Sequence, residues 1–568
     1  MRRTLRSLIR IALLLFGGSV LISLPKIGAV PPPLLNDLLA NTELADDEEP
    51  AADEPAEPDD EKKSPSPFPV IISKETTWLT SPLRADGGID FVKVLNDEAA
   101  KGVTPENNAA VLLVQAIGLN GVEPNLRKQL YERLKTQPIK NGQGKLLDAQ
   151  QYISRRTAGP SRSNRQEEMI LHFNEQLGIA KEGPWSSLDC PLIAGWLQTN
   201  EPALELVTQA SRRPRLFSPW VGEGRNVTLR SAIMPIQNGY LNDAYELLLV
   251  RALHRVDEDN FEGMLSDLLA AHRLVRLFND RLPSQEIEFH DSEREIANSG
   301  KLTAKQLRTL EKELNSLPEL SLAAAGICRE RRFSLIEDFV YLLSPEGEQE
   351  GNSNDEDFGW LWNRVSKQMT DSDAAARTIN AWMTHAADVL SKKTRAERNR
   401  ALVQLEKAFD ERWNELHSWE VVLHNVLGDR VERGRIWGDI QALPTVNVLI
   451  QDWWDECRVE TDRRMTGITI LLAAYKMEHD EFPCDLKQLM PDYLRELPRD
   501  AYTEVDFRYE RTKEGYKLYS LGKNGKDDGG RENNGEPDTA GFDDQVISFP
   551  PNFQDVTPNF RDPGGCIF

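Results

Sequence analysis

Residues 241–278 read LNDAYELLLVRALHRVDEDNFEGMLSDLLAAHRLVRLF, and their periodicity decides the fold class. Leu241–Val256 carries its apolar residues at helical spacing, and Asp257-Glu-Asp-Asn260 is a polar turn. Phe261, Met264, Leu265, Leu268, Leu269, Val275 and Phe278 then mark one apolar face, mostly at spacings of three and four. So short a connection makes the two helices antiparallel neighbours, and Ala252 and Ala271 suit close packing between them. The same period extends in both directions. Thr303 caps a helix running to Leu317-Pro318, Ala323–Leu343 is another, and long helices follow at about 373–392 and 395–426. Towards the N-terminus, Thr104-Pro105-Glu106 reads as a helix start and Gln166–Leu177 as a helix. Leu192–Gln198 and Ala203–Ser211 read as two short helices parted by Asn200-Glu201-Pro202. The expected fold is mainly α.

The 568-residue chain has room for about two to four domains, and its 40% apolar content supports a sizeable core. Its net charge of −23 argues against a nucleic-acid partner, because such binding depends on neutralising phosphates. Much of that charge lies in one place: eleven carboxylates fall between Glu43 and Glu61, interleaved with Pro50, Pro55 and Pro58. Like-charge repulsion and proline stiffness leave nothing there to bury, so residues 31–67 are expected to be an extended linker. Ahead of it, Arg2, Arg3, Arg6 and Arg10 precede a 14-residue apolar run, Ile11–Leu24. Residues 1–30 are therefore expected to be a signal anchor in the inner membrane, single-pass, with the basic end cytoplasmic and the body extracytoplasmic. A cleaved signal peptide and a secreted body are the alternative. The helical body is expected over 68–450, a C-terminal module over 451–550 and a tail over 551–568.

The search for catalytic motifs finds no HExxH, GxSxG, P-loop or dinucleotide fingerprint. The aromatic positions Trp360, Trp362, Trp382, Trp413, Trp419, Trp437, Trp453 and Trp454 offer either a ligand cleft or interhelix packing, and packing is the expectation. His417 and Glu420 lack a matching second pair, and His254 and His272 are expected to be structural. Glu286, Glu288, His290, Asp291, Glu293 and Glu295 read as a charged, exposed connection, with an extended start where Ile287 and Phe289 alternate. The five cysteines, at 190, 328, 457, 484 and 566, have no metal-ligand spacing, and a Cys457–Cys484 bridge would need the chain to fold back.

The C-terminal stretch changes period. Met465, Ile468, Leu471, Leu472 and Tyr475 form a helical stripe that ends at Phe482-Pro483. Phe507-Arg-Tyr509 and Tyr516–Ser520 alternate as strands around the turn Thr512–Gly515. The strands are expected to pack on the helix as a small α+β unit.

That order resembles the globular head of the major pseudopilin of type II secretion systems: a helix with an aromatic-Pro exit, Leu497-Pro-Arg-Asp500, Tyr519-Ser-Leu-Gly522, then a late Asp543-Asp544 before a terminal strand. The resemblance implies one calcium ion held by the backbone carbonyl of Leu521 and by Asn524, Asp543 and Asp544, with Asp527 or Asp528 substituting because Asn524 stands where the family has Asp. The chain lacks the family's prepilin-peptidase site, so assembly into a pseudopilus is not implied. Glu75-Thr-Thr77, Gly102–Ala110 and Ser211-Arg-Arg-Pro-Arg215 look like a family of exported planctomycete-type proteins, which implies compartment and architecture rather than activity. Taken together, the expectation is a membrane-tethered extracytoplasmic interaction or scaffold protein with a protein partner in the cell envelope. The alternative is a hydrolase of envelope polymers with its site in the helical body.

Overall fold

A single 50-residue helix, Arg430–His479, organises the molecule. Asp429 caps its start by accepting from the Glu432 amide at 2.8 Å, and Asp480 ends it in the left-handed region. Apolar residues bury all round its second half, so neighbours pack on every side. The computed structural model describes residues 68–550 apart from 120–121, 139–145, 158–161, 237–240, 279–282, 319–323, 345–369, 419–420, 422–427 and 533–540. The expected anchor, acidic linker and tail lie outside the described residues, as do Trp360, Trp362, Trp419, Glu420 and Cys566. No helix of the described residues is long and apolar enough to cross a membrane.

The described residues are mainly helical. They run as α1 Phe91–Ala99, α2 Ala109–Ile117, α3 Pro124–Leu134, α4 Ala149–Arg156, α5 Arg162–Glu182, α6 Pro191–Ser211, α7 Asn242–Asp257 and α8 Phe261–Phe278. Then come α9 Pro283–Asn298, α10 Ala304–Asn315, α11 Ala324–Leu342, α12 Ser372–Leu390, α13 Arg395–Leu416 and the long α14 Arg430–His479. Three strands follow, β1 Arg508–Arg511, β2 Tyr516–Tyr519 and β3 Val546–Phe549. The α7–α8 hairpin forms as its pattern predicts. Leu247, Leu248, Met264, Leu268 and Leu274 are buried in a first core built by α2–α10. A second core joins α11, α12 and α13 to the first half of α14 through Ile379, Met383, Val446, Leu449 and Trp453. A third lies under the sheet, where Met465, Ile468, Leu471 and Leu472 of α14 meet Phe482, Tyr516, Leu518 and Ile547. Ile470 and Ala474 of the same helix point into the first core.

The expected boundary at 450/451 therefore falls inside a continuous helix. The stripe at 465–475 is one face of an element whose other faces belong to the body. Two further expectations give way for related reasons. Asn200-Glu201-Pro202 does not break the chain, and α6 is one helix. Buried Ile193, Trp196, Ala203 and Leu204 pack on both sides of Pro202, while Asn200 Nδ2 donates to the Trp196 and Leu147 carbonyls, each at 3.1 Å. Packing thus outweighs the lost backbone bond. Thr104 is not the helix start either: it opens a turn, and Asn108 caps α2 with its side-chain oxygen 3.1 Å from the Ala110 amide.

The sheet is antiparallel, β1-β2-β3, with Tyr509 opposite Leu518 and Leu518 opposite Ile547. Gly515 closes the β1–β2 turn where any Cβ would strike the Phe549 carbonyl.

Candidate metal centres and the junction cavity

The glycine-rich loop before β3 brings three carboxylates together. Gly522 sits at φ +61°, where a Cβ would collide with Asp543, and this tight passage lays the 521–530 turn against Asp543 and Asp544. Asp543 Oδ2 accepts from the Asn524 amide at 2.8 Å. Asp544 Oδ2 accepts from Gly530 N at 2.8 Å and Asp528 N at 3.1 Å. The remaining oxygens, Asp528 Oδ2, Asp543 Oδ1 and Asp544 Oδ1, are buried and accept no hydrogen bond from any described residue. One oxygen from each of the three residues lies within 4.8 Å of the others. Burial raises the pKa of Asp543 and Asp544, and the Asp528 charge adds to the rise. Such a cluster of hard oxygens is suited to a cation.

The other residues of the expected set are placed differently. Asn524 contributes its backbone amide, but its side-chain oxygen accepts from Lys526 N at 2.6 Å and its Nδ2 donates to Gly541 O at 3.1 Å. Asp527 turns away: it accepts from Arg508 Nε and the Tyr519 hydroxyl, each at 3.2 Å. Leu521, expected to offer only its backbone carbonyl, lies directly before the Gly522 turn with its side chain buried. Asp528 is thus the substitute that joins the late Asp pair.

A second cluster lies in the body, where an exposed connection was expected. Residues 286–295 are α-helical, and Glu286, His290 and Glu293 are 0%, 0% and 2% exposed. Their spacing of four and three places them on one helical face, which packs on α8 and α14 beside Phe289. His272 of α8 stands between two carboxylates, with Nδ1 2.7 Å from Glu286 Oε2 and Nε2 2.6 Å from Glu293 Oε1. Burial opposes protonation of His272, but those carboxylates outweigh it and raise its pKa to about 9. Arg276 Nη1 donates to Glu286 Oε1 at 2.8 Å. His290 Nδ1 lies 2.8 Å from Asp462 Oδ2 of α14, and Arg294 Nη1 donates to Asp462 Oδ1 at 3.1 Å. The expected exposure holds for Glu288, Asp291 and Glu295 and fails for Glu286, His290 and Glu293, whose charges are paired inside the fold rather than solvated. The spacing of 286, 290 and 293 was visible in the sequence; the distant partners His272 and Asp462 were not.

Beside this cluster is a cavity of about 430 Å³ between α8, α9, α10, α14 and the 494–504 segment of the module. His272, Arg276, Glu293, Glu311, Arg463 and Arg464 line it. Burial pushes the Glu311 pKa up to about 7 against the pull of Arg463.

Of the other described sequence candidates, Trp413 is exposed and lies against Phe409 and His417. His254 is on the far side of the hairpin from His272, 2.8 Å from Ser187 Oγ, with its ring 4.5 Å from that of Trp185. Trp453 and Trp454 are core residues, Trp382 donates to Asp439 at 2.7 Å, and Trp437 packs edge-on to Phe339. Cys457 is buried and Cys484 exposed, and both thiols are free. Comparison of the chain with family models, curated proteins and solved structures finds no match in any of the three.

Proposed function

We propose that this chain is a membrane-tethered scaffold or interaction protein of the cell envelope, and that one calcium ion staples its pseudopilin-head-like C-terminal module. The observation that carries the reading is the convergence of three buried, unpartnered carboxylate oxygens, from Asp528, Asp543 and Asp544. Calcium takes about six to eight oxygen ligands at roughly 2.3–2.6 Å in flexible geometry, and backbone carbonyls of the 521–530 turn complete such a set. The ion joins the loop to β3 and so fixes the edge of the sheet. Tethering rests on the arginines at 2, 3, 6 and 10 and the apolar run Ile11–Leu24, and the acidic linker holds the body away from the bilayer.

Calcium titration of the full-length chain, followed by calorimetry and melting temperature, tests this. Binding that Asp543→Ala and Asp544→Ala abolish is the expected result. A heat-silent titration at millimolar calcium, with an unchanged melting temperature, would remove the cofactor from the reading.

A hydrolase of envelope polymers is a second reading, favoured by one feature. Glu311 lines the junction cavity with its pKa raised to about 7, the state a general acid requires. Release of reducing ends from envelope polysaccharide, lost in Glu311→Gln, is the outcome this reading needs. No release by the native chain would end it.

A further inference from the structure

His272, Glu286 and His290 each bring one ligand atom within 4.8 Å of the others, and His272 Nδ1 faces Glu286 Oε2. These two atoms are 2.7 Å apart, and His290 Nε2 lies 3.6 Å from the same Glu286 oxygen. A tetrahedral ion with bonds of about 2.0–2.1 Å needs its ligand atoms roughly 3.4 Å apart, so small side-chain adjustments admit it.

Three features separate this cluster from an ordinary buried ion pair. His290 is fully buried, and its Nε2, facing the Glu286 oxygen, makes no hydrogen bond with any described residue. A buried ring nitrogen without a partner is costly unless something occupies the space it faces. Second, both imidazoles are oriented from behind by carboxylates: Asp462 holds His290 Nδ1 at 2.8 Å, and Glu293 holds His272 Nε2 at 2.6 Å. This is the outer arrangement that fixes the tautomer and orientation of metal-ligating histidines. Arg276 does the same for Glu286 by taking its other oxygen at 2.8 Å. Third, the carboxylates that touch the two imidazoles are themselves anchored, Glu286 by Arg276 and Asp462 by Arg294.

We propose that His272 Nδ1, Glu286 and His290 Nε2 form a two-histidine, one-carboxylate site for a divalent first-row transition ion of the zinc class. Imidazole nitrogen selects such ions over calcium and magnesium, so this centre is chemically distinct from the carboxylate loop of the module. The cavity touching His272 and Glu293 supplies an entry path. Bound there, the ion ties α8, α9 and, through Asp462, α14 together at the junction of body and module.

The probes are Zn2+ and Co2+ alone, added to the full-length chain. The expected results are about one equivalent of tightly held ion, a visible d–d spectrum with Co2+, and a melting temperature that rises with Zn2+. Glu293→Gln, which leaves all three ligands in place, is expected to weaken Zn2+ binding roughly 10–100-fold. His290→Ala is expected to abolish it. A variant carrying Asp528→Asn, Asp543→Asn and Asp544→Asn is expected to keep the Co2+ spectrum, which separates the two centres. Should His290→Ala fail to fold, the native spectrum and stoichiometry decide. A native chain with neither a Co2+ spectrum nor a Zn2+-dependent melting shift overturns the proposal, and His272 is then a proton-bearing bridge between Glu286 and Glu293. Loss of the spectrum in the triple Asp variant with retention in His290→Ala overturns it equally.

Discussion

The indole of Trp453 donates to Asn399 Oδ1 at 2.8 Å, and the same amide donates from Nδ2 to the carbonyls of Ala501 and Tyr502, at 3.0 and 2.9 Å. One buried side chain thus joins α13, α14 and the segment leading into the sheet. Two of these bonds are buried and the third, to Tyr502, is part-buried, so deleting the amide strands the Trp453 N–H and the Ala501 carbonyl away from water. Asn399→Ala is expected to lower stability by about 2–4 kcal/mol, more than a lone exposed hydrogen bond would give. Denaturant unfolding measures this directly. A loss under about 0.5 kcal/mol would mean that water replaces the amide and the junction is open.

Helix α14 approaches α12 through two glycines one turn apart. A Cβ at Gly434 would collide with the Asp371 carbonyl, and one at Gly438 with the Ala375 carbonyl. The obstructing atoms are backbone, so the helices must separate to admit a methyl group. Gly438→Ala gains about 1 kcal/mol of helix propensity but loses packing along the whole contact, and net destabilisation of about 1–3 kcal/mol is expected. Exposed helical Gly178, with open space around its Cα, is the control: Gly178→Ala is expected to be neutral or mildly stabilising. Equal melting temperatures for the two variants would refute the close approach.

Glu460 is fully buried in α14, 2.8 Å from Arg463 Nη2 and 2.7 Å from Arg464 Nε. Burial raises its pKa, but the bond and charge of Arg463, with Arg464 and Arg395, outweigh burial and hold it at about 2. The folded chain therefore binds fewer protons here than the unfolded chain. The resulting stability is present above about pH 4.5 and is lost as pH falls towards 2. Glu460→Gln is expected to cost about 2–4 kcal/mol near neutrality by stranding the arginines, and to flatten the stability profile between pH 4.5 and 2. Urea unfolding across that range tests the sign; a parallel displacement of the two curves would place the acid sensitivity elsewhere.

The residues above also show what the sequence carries in itself. The α7–α8 hairpin was legible because its turn is polar and its apolar spacing regular, and the sheet because residues 507–520 alternate around a turn. Asp543 and Asp544 were legible by residue type, whereas the choice of Asp528 over Asp527 depends on which way one turn residue faces. The length of α14 was not legible. Pro444 and the carboxylates Glu456, Glu460 and Asp462 suggest exposure or a break, yet all three carboxylates are buried: Glu460 pairs with Arg463 and Arg464 of its own helix, while Arg395 reaches Glu456 and Arg294 reaches Asp462 from other helices. Periodicity reports a helix's faces only when its polar residues are solvated. When charges pair inside, burial is set by partners that can lie 61 or 168 positions away.

Glu311, which lines the junction cavity beside Arg463, shows the opposite balance to Glu460. It is 9% exposed, and burial drives its pKa to about 7 because Arg463 opposes only weakly. Arg463 is already committed to Glu460, with bonds of 2.9 and 2.8 Å. The folded chain consequently binds more protons at Glu311 than the unfolded chain between about pH 4.5 and 7, and ionising this group destabilises the fold as pH rises through that window. A shift of this size corresponds to no more than about 3 kcal/mol above pH 7. Glu311→Gln keeps the shape and removes the charge. Its stability relative to the native chain is expected to climb by about 1–3 kcal/mol between pH 5 and pH 8, while a carboxylate that serves only as an ion-pair partner would show the variant losing ground instead. Paired denaturation curves at those two pH values decide between the two, and a variant weaker at pH 8 than at pH 5 would assign Glu311 to Arg463 after all.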